Sequence, residues 1–294
     1  ISTLEDLIMY SKGYRLIRDR NQPGMPRQYS IVGKTGETIT SLSGTADIVK
    51  YDFGYEIDPV WEAGNKNIPG IYIEFKEPWL NPKGFEQIVY DVLANTQDMN
   101  IIEKPEPEDT PFYINNGTIN VGNTNGKVIL QTFSLESLVR VAEVFQGKVP
   151  MCFLLWKGTG ATDLTYDDPL GYASFINLGV KYKAHFIGPC IAGAPNDYPE
   201  LDQPWQDYLI HRAKMKNHPY TFDTYDQMAK YFGQYNFGVA DGMFNPPYLD
   251  ALFTNHSDMS INYMITHGWR KSPASQTLVD AREVLRKLGY LDNN

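Results

Sequence analysis

Gly70-Ile71-Tyr72-Ile73-Glu74-Phe75-Lys76-Glu77-Pro78-Trp79 is the stretch on which the reading of the fold turns. It is a short run of β-branched and aromatic residues, ended by a proline that cannot extend a central strand. GFEQIVYDVLANT (84–96) follows, with its apolar residues at helical spacing. The couplet then recurs. KVILQTF (127–133) leads into SLESLVRVAEVFQG (134–147), and PMCFLLW (150–156) into PLGYASFINLG (169–179). KAHFIGP (183–189) precedes PWQDYLIHRAKMKN (204–217), and HPYTF (218–222) precedes TYDQMAKYFGQ (224–234). DALFT (250–254) is followed by SDMSINYMITHG (257–268), and a last helix is expected over 275–289. Six strands alternating with helices predict parallel βαβ units in a single α/β domain over 1–294. An open doubly wound sheet and part of a (β/α) barrel both satisfy that pattern. No GxGxxG or P-loop follows any of the strands, so the usual phosphate grip of the open nucleotide-binding folds is missing.

Outward from these units the chain changes character. ISTLEDLIMYSKG predicts a helix over 2–12, with Ser2 and Thr3 as capping residues, Glu5 three positions after Ser2, and Gly13 at its end. Residues 14–66 are turn-rich and read as a long excursion, and 103–126 as a polar surface insertion of loop or hairpin form. The chain has 294 residues, 42% of them hydrophobic, enough for a sizeable core. Its 26 basic and 35 acidic residues give a net charge of −9, which disfavours a nucleic-acid partner. No apolar run approaches the length of a transmembrane helix. Two cysteines, Cys152 and Cys190, are too few for a disulfide scaffold and are expected near opposite strand ends, unbridged. Sequons at Asn116 and Asn255 lean towards an extracellular or secretory-pathway glycoprotein. Asn116, in the more polar setting, is the expected glycosylation site.

On a strand, residues two apart share a face, so Glu74 and Lys76 point the same way with Tyr72 below them. In a parallel barrel the carboxyl end of a strand is where the chemistry sits. A carboxylate there suits a hard divalent cation, and an ammonium suits a phosphate oxygen. The plain alternative is a surface ion pair.

GIYIEFKEPW resembles the E-x-K strand of the glycerophosphodiester phosphodiesterase family, whose fold is a phospholipase C-like TIM barrel. Blocks in the same order resemble the rest of that barrel. ISTLEDL (1–7) is similar to the helix before the third strand, VILQTFSLESL (128–138) to the fourth strand and its helix, and HFIGP (185–189) to the sixth strand. HPYTF (218–222) resembles the seventh, and LFTNHSD (252–258) the turn after the eighth. The resemblance implies a TIM-type barrel of which about six units are visible, the first two strands being absent from this sequence. It implies metal-dependent hydrolysis of glycerophosphodiesters to glycerol 3-phosphate and an alcohol, an activity of lipid metabolism that uses Mg²⁺ or Ca²⁺. Carried over by position, Glu74 would be a metal ligand and Lys76 the catalytic phosphate-holding cation. Gln131 and Phe133 would line the mouth after the fourth strand, and Tyr220 and Phe222 would form a substrate-binding wall after the seventh.

The departures bear on function. The family's H-R-G motif, E-x-D metal pair and second catalytic histidine belong to the first two strands, and none is in this sequence. Asn255 stands where the family has Asp, and Ser257 where it has Pro. Of the five histidines, His218, His185, His211 and His267 read as structural or solvated, and His256 alone falls near the expected mouth. Two other readings therefore stand beside the enzyme: a secreted non-catalytic descendant of the barrel, structural or adhesive, and a phospholipase acting on a related phosphodiester lipid. A further expectation is that a second chain or subunit, or residues beyond this sequence, complete the barrel.

Overall fold

The computed structural model describes residues 3–17, 28–32, 38–39, 48–52, 54–64, 69–95, 113–115, 118–120, 128–156, 168–234, 249–267 and 286. Its centre is a parallel sheet of β6 (Ile71–Glu74), β9 (Val128–Thr132), β10 (Met151–Leu155), β11 (Phe186–Pro189) and β12 (Lys216–Asn217). The strands lie in the order β12-β11-β10-β9-β6, so each new unit is added at one edge. The crossovers are helical: α3 (Phe85–Asn95), α4 (Leu135–Phe145), α5 (Pro169–Lys181) and α6 (Pro204–Arg212). The mixed α/β fold with a parallel sheet flanked by helices is thus as expected.

Side-chain alternation divides the sheet into two faces. Ile71, Val128, Leu130, Phe153, Leu155 and Ile187 pack with Val89, Leu93, Leu138, Phe145, Phe175 and Ile210 of the helices in the main core. Tyr72, Ile129, Phe133, Cys152, Leu154, Phe186 and Tyr220 form a smaller cluster on the other face. Every residue of β10 is buried, as is typical of parallel strands covered on both sides. Phe153 stacks on Phe175 of α5 at a centroid distance of 4.2 Å, fixing helix to strand. Cys152 and Cys190 are both free and buried, as expected.

The sheet is curved. The ring of Tyr72 on β6 lies 4.8 Å from that of Phe253, and its hydroxyl is 3.1 Å from His218 Nδ1. Residues at opposite edges of the strand order therefore touch across the inner face. His218 stacks on Phe186 at 4.0 Å, and burial lowers its pKa to about 4, the behaviour of a structural imidazole.

The last two expected strands are less regular than predicted. Past β12 the pairing with β11 runs on through single bonds: Tyr220 N donates to Pro189 O at 3.0 Å, and Ile191 N to Tyr220 O at 2.8 Å. Pro219 falls on the other edge, where it has no amide hydrogen to offer residues 250–253. Residues 250–253 run alongside without forming a strand. Asp250 N donates to Asn217 O at 3.0 Å, Phe253 N to Pro219 O at 3.0 Å, and Phe222 N to Phe253 O at 2.8 Å. Beyond them α7 (Tyr225–Ala229), which passes into a π-helical turn at Lys230–Gln234, packs with α8 (Ser257–Thr266) around Phe222, Tyr231 and Tyr263.

Helix α1 (Leu4–Ser11) begins with Thr3, whose hydroxyl accepts from Asp6 N while the Asp6 carboxylate accepts from Thr3 N. The capping box is therefore Thr3–Asp6, one residue later than the expected Ser2–Glu5 pair. In the excursion, β1 (Tyr14–Ile17) pairs antiparallel with β5 (Gly54–Ile57). The strands β2 (Gln28–Val32), β3 (Thr38–Ile39) and β4 (Ile48–Asp52) form a separate antiparallel sheet, and α2 (Pro59–Ala63) follows. The described part of the insertion is a hairpin of β7 (Tyr113–Asn115) and β8 (Thr118–Asn120). Asn116 and the helix expected over 275–289, apart from Arg286, lie outside the described residues.

Gly188 shows how tightly the inner face is filled. A Cβ there would fall 2.7 Å from Leu154 Cδ2, 2.9 Å from Cys152 Sγ and 3.1 Å from His218 O. Gly188→Ala is expected to destabilise the protein by about 1–3 kcal/mol through overpacking, read as a lower midpoint in urea unfolding.

Candidate functional site

The mouth of the sheet begins where β6 ends. Parallel pairing sets Glu74 opposite Gln131 and Ile73 opposite Leu130. Phe75 N donates to Gln131 O at 2.8 Å, and the buried Thr132 hydroxyl donates to Phe75 O at 2.8 Å, so the chain leaving β6 is tied to β9. Lys76 Nζ lies 3.6 Å from Glu74 Oε1. The Lys76 side chain is 70% exposed and that of Glu74 23%, so the pair straddles the boundary between sheet interior and solvent. An ion pair that open contributes only about 0–1 kcal/mol to stability, which gives folding little reason to place it there.

Gln131 adds a second oxygen. Its Oε1 is buried and has no hydrogen-bond partner among the described residues. A buried acceptor without a donor is costly, and it sits on the strand position directly beside Glu74. Phe133, two residues on and on the same face, meets Tyr220 edge-on at 5.7 Å. The Tyr220 hydroxyl donates to Leu155 O at 2.9 Å, and its ring also contacts that of Tyr198 at 5.9 Å. Burial pushes the Tyr220 hydroxyl far above the usual range, so it stays protonated.

Glu74, Lys76, Gln131, Phe133 and Tyr220 thus occur along one rim of the sheet. Phe222 does not join them: it is fully buried and packs edge-on against Tyr231 at 5.1 Å in the α7–α8 cluster. As a metal site the rim offers a carboxylate and an amide oxygen, both hard donors. Among the described residues, no group of three or more His, Cys, Asp or Glu side chains is arranged so as to hold a metal ion. Oxygen donors of this kind suit either Mg²⁺ or Ca²⁺, whose remaining positions water and substrate phosphate can fill.

Asn255 is held by Asp223. Its backbone N–H donates to Asp223 Oδ1 at 2.8 Å and its side-chain amide to Oδ2 at 2.9 Å. A carboxylate in place of this amide would face Asp223 with like charge. An amide at this position therefore matches its local partner. His256 is exposed beside it, and His267 stacks on Tyr263 at 4.0 Å. His185 is fully buried, with Nδ1 accepting from Met151 N at 3.3 Å.

A buried polar cluster that sequence reading missed lies between α6, β12 and residue 250. The Asn217 side-chain amide donates to Asp202 at 2.8 Å and to Asp207 at 3.0 Å. His211, read from sequence as solvated, contacts Asp250 through Nε2 at 2.8 Å and Asp207 through Nδ1 at 3.3 Å. Lys216 and Asn217 N donate to the two oxygens of Asp250, each at 2.8 Å. Burial opposes charge on His211, but its bonds to the two carboxylates outweigh it and raise the imidazole to about 10. Burial likewise works against an ionised Asp250, yet the bonds from His211, Lys216 and Asn217 lower its pKa to about 2. The i,i+4 spacing of Asp207 and His211 was the one local signal available.

A scan of protein-family models finds no match to this chain, and a search of curated proteins finds none either.

Because the folded His211 titrates at about 10 rather than near the ordinary 6.5, its contribution is complete below about 6.5. It is lost as pH rises through about 10. The wild type is therefore expected to lose more unfolding free energy between pH 6.5 and 10 than His211→Gln does. Denaturant titrations of both proteins across that window measure the difference.

Proposed function

We propose that the chain is a metal-dependent phosphodiesterase of the glycerophosphodiester phosphodiesterase type. In this reading its sheet is part of a TIM-type barrel, and it acts in the secretory pathway or outside the cell. The observation that carries the reading is the Glu74–Lys76 pair at the carboxyl end of β6, beside the unpartnered Gln131 oxygen. The barrel reading is supported by the Tyr72–Phe253 contact across the inner face. Strands needed to close the barrel would lie between β6 and residues 250–253, contributed by the same chain or by a partner.

Glu74 and Gln131 would hold the divalent cation. When bound, the cation supplies charge neutralisation at the phosphoryl oxygens. Lys76 would pair with a phosphate oxygen and keep the phosphorus facing the attacking hydroxyl. Phe133 and Tyr220 supply a wall for the glycerol carbons and keep water from that side. In hydrolysis a P–O bond to glycerol phosphate is retained, the P–O bond to the alcohol breaks, and water provides the proton and hydroxyl that complete the products. Neither His218 nor His185 is placed to move that proton, since both are buried in packing roles.

A second reading, a non-catalytic descendant of the barrel, draws on Asn255, whose amide is committed to Asp223. A phospholipase is the remaining variant of the enzymatic reading. No helix among the described residues is long and apolar enough to cross a membrane.

Incubation with glycerophosphocholine and Mg²⁺ or Ca²⁺ is expected to release glycerol 3-phosphate, with EDTA abolishing the release. Glu74→Gln and Lys76→Ala should each lower kcat by at least about 100-fold, the usual effect of removing one group that stabilises transition-state charge. Release that is indifferent to EDTA and to both substitutions would overturn the site. Absence of turnover for every glycerophosphodiester offered would favour the non-catalytic reading.

A further inference from the structure

The sequence has five histidines, and four of them are committed to packing or to ion pairs. His218 stacks on Phe186 and meets the Tyr72 hydroxyl, and His185 accepts from Met151 N. His211 lies between Asp207 and Asp250, and His267 stacks on Tyr263. His256 is different. It is exposed and takes the cap position before α8, yet its imidazole makes no capping bond and has no hydrogen-bond, ion-pair or ring partner among the described residues.

Its backbone, by contrast, is fixed. His256 N donates to Thr254 Oγ1 at 2.8 Å, and Asn255 before it is held by two bonds to Asp223. Asp223 N donates to Gln227 Oε1 at 2.7 Å, and Gln227 Nε2 to Gly193 O at 3.0 Å, which ties this turn to the loop after β11. The fold thus holds the residue in place and leaves its ring unused.

Where that ring sits relative to the Glu74–Lys76 pair follows from chain direction. Asp250 N bonds to Asn217 O and Phe253 N to Pro219 O, so residues 250–253 run in the direction of β12, and hence of β6. Tyr72 and Phe253 touch across the inner face. Glu74 lies two residues beyond Tyr72, and Asn255 two beyond Phe253. Lys76 and His256 therefore emerge at the same end of the sheet, the carboxyl end, where parallel barrels keep their chemistry. Breaking a P–O bond expels an alkoxide, a poor leaving group unless a proton meets it, and imidazole is the side chain most often used for that transfer.

We infer that His256 is the general acid of this site and protonates the departing alcohol, an assignment that rests on the phosphodiesterase reading. Water adds to phosphorus, and the P–O bond to the alcohol breaks with its electron pair on the alcohol oxygen. The His256 imidazolium gives that oxygen its proton, and the proton lost by the attacking water restores the imidazolium. No further reactant is consumed.

Two substrates that differ only in leaving group test the assignment in the presence of Mg²⁺ or Ca²⁺: glycerophosphocholine and the p-nitrophenyl ester of glycerol phosphate. Nitrophenolate departs without a proton. His256→Ala is therefore expected to lower kcat on glycerophosphocholine by at least about 100-fold while leaving the nitrophenyl ester essentially unchanged. Added imidazole should restore part of the loss, and Lys76→Ala should slow both substrates. Circular dichroism and thermal midpoints check that His256→Ala folds, as expected for an exposed position. Independently of turnover, glycerol 3-phosphate added to wild type should shift the imidazole proton resonance that His256→Gln lacks. A wild type that cleaves glycerophosphocholine no faster than His256→Ala does overturns the inference and leaves the phosphodiesterase reading standing. Equal losses on both substrates also overturn it, because the residue then acts on binding or folding rather than on the leaving group. A wild type that cleaves neither ester overturns the phosphodiesterase reading itself, and the inference with it.

Discussion

The pairing of β6 with β9 sets Ile71 opposite Val128 and Glu74 opposite Gln131. The whole upper rim depends on that alignment. A slip of one residue would send Tyr72 and Glu74 towards the helices and bring Ile71 and Ile73 into the inner face. Two unequal layers hold the register. The helix-facing side buries Ile71 and Phe75 among side chains of α3 and α4, and the opposite side seats Tyr72 against Phe253 and His218. Thr132 then locks the exit from β6 with one buried hydroxyl bond to Phe75 O. The position of Lys76 follows from apolar packing well away from it.

The polar cluster around Asn217 does a related job on the other side of the sheet. Irregular backbone after β12 leaves residues 250–253 with fewer ladder bonds than a strand would make. Asp250 makes up part of the difference by taking bonds from His211, Lys216 and Asn217. The His211 and Lys216 side chains are 34% and 37% exposed, so solvent screens these pairs and each holds Asp250 less strongly than a fully buried pair would. Asp207 is drawn two ways: burial raises its pKa, the neighbouring imidazole lowers it, and burial prevails. The firm ion pair is therefore that of His211 with Asp250.

The parallel units were legible because β6, β9, β10 and β11 are short, apolar and each followed by a helix. Ser134 capping α4 and Asp168 capping α5 are local signals. The Glu74–Lys76 pair was legible from strand alternation alone. Phe222 packs in the α7–α8 cluster rather than on the face of Tyr220, because alternation gives the face of a regular strand and residues 218–222 do not form one. His211 was misread because its partner Asp250 lies 39 residues away, and nothing local shows which distant carboxylate a helix will meet. Asn255 was noticed as a departure, but its match to Asp223 depends on the turn bringing residues 32 apart together.

The complete burial of β10 has a consequence for how the protein opens. Met151–Leu155 has neighbours on both edges, β9 and β11, and side chains covered on both faces. Its amide hydrogens have no local route to water, so they exchange with solvent only when the sheet as a whole comes apart. β6, with a strand partner on one edge in the described sheet, sits at the other extreme. Fluctuations that admit solvent or a ligand can therefore start at Glu74 and the turn beyond it while the central strand keeps its protons. The protein can breathe at its mouth without loosening its centre.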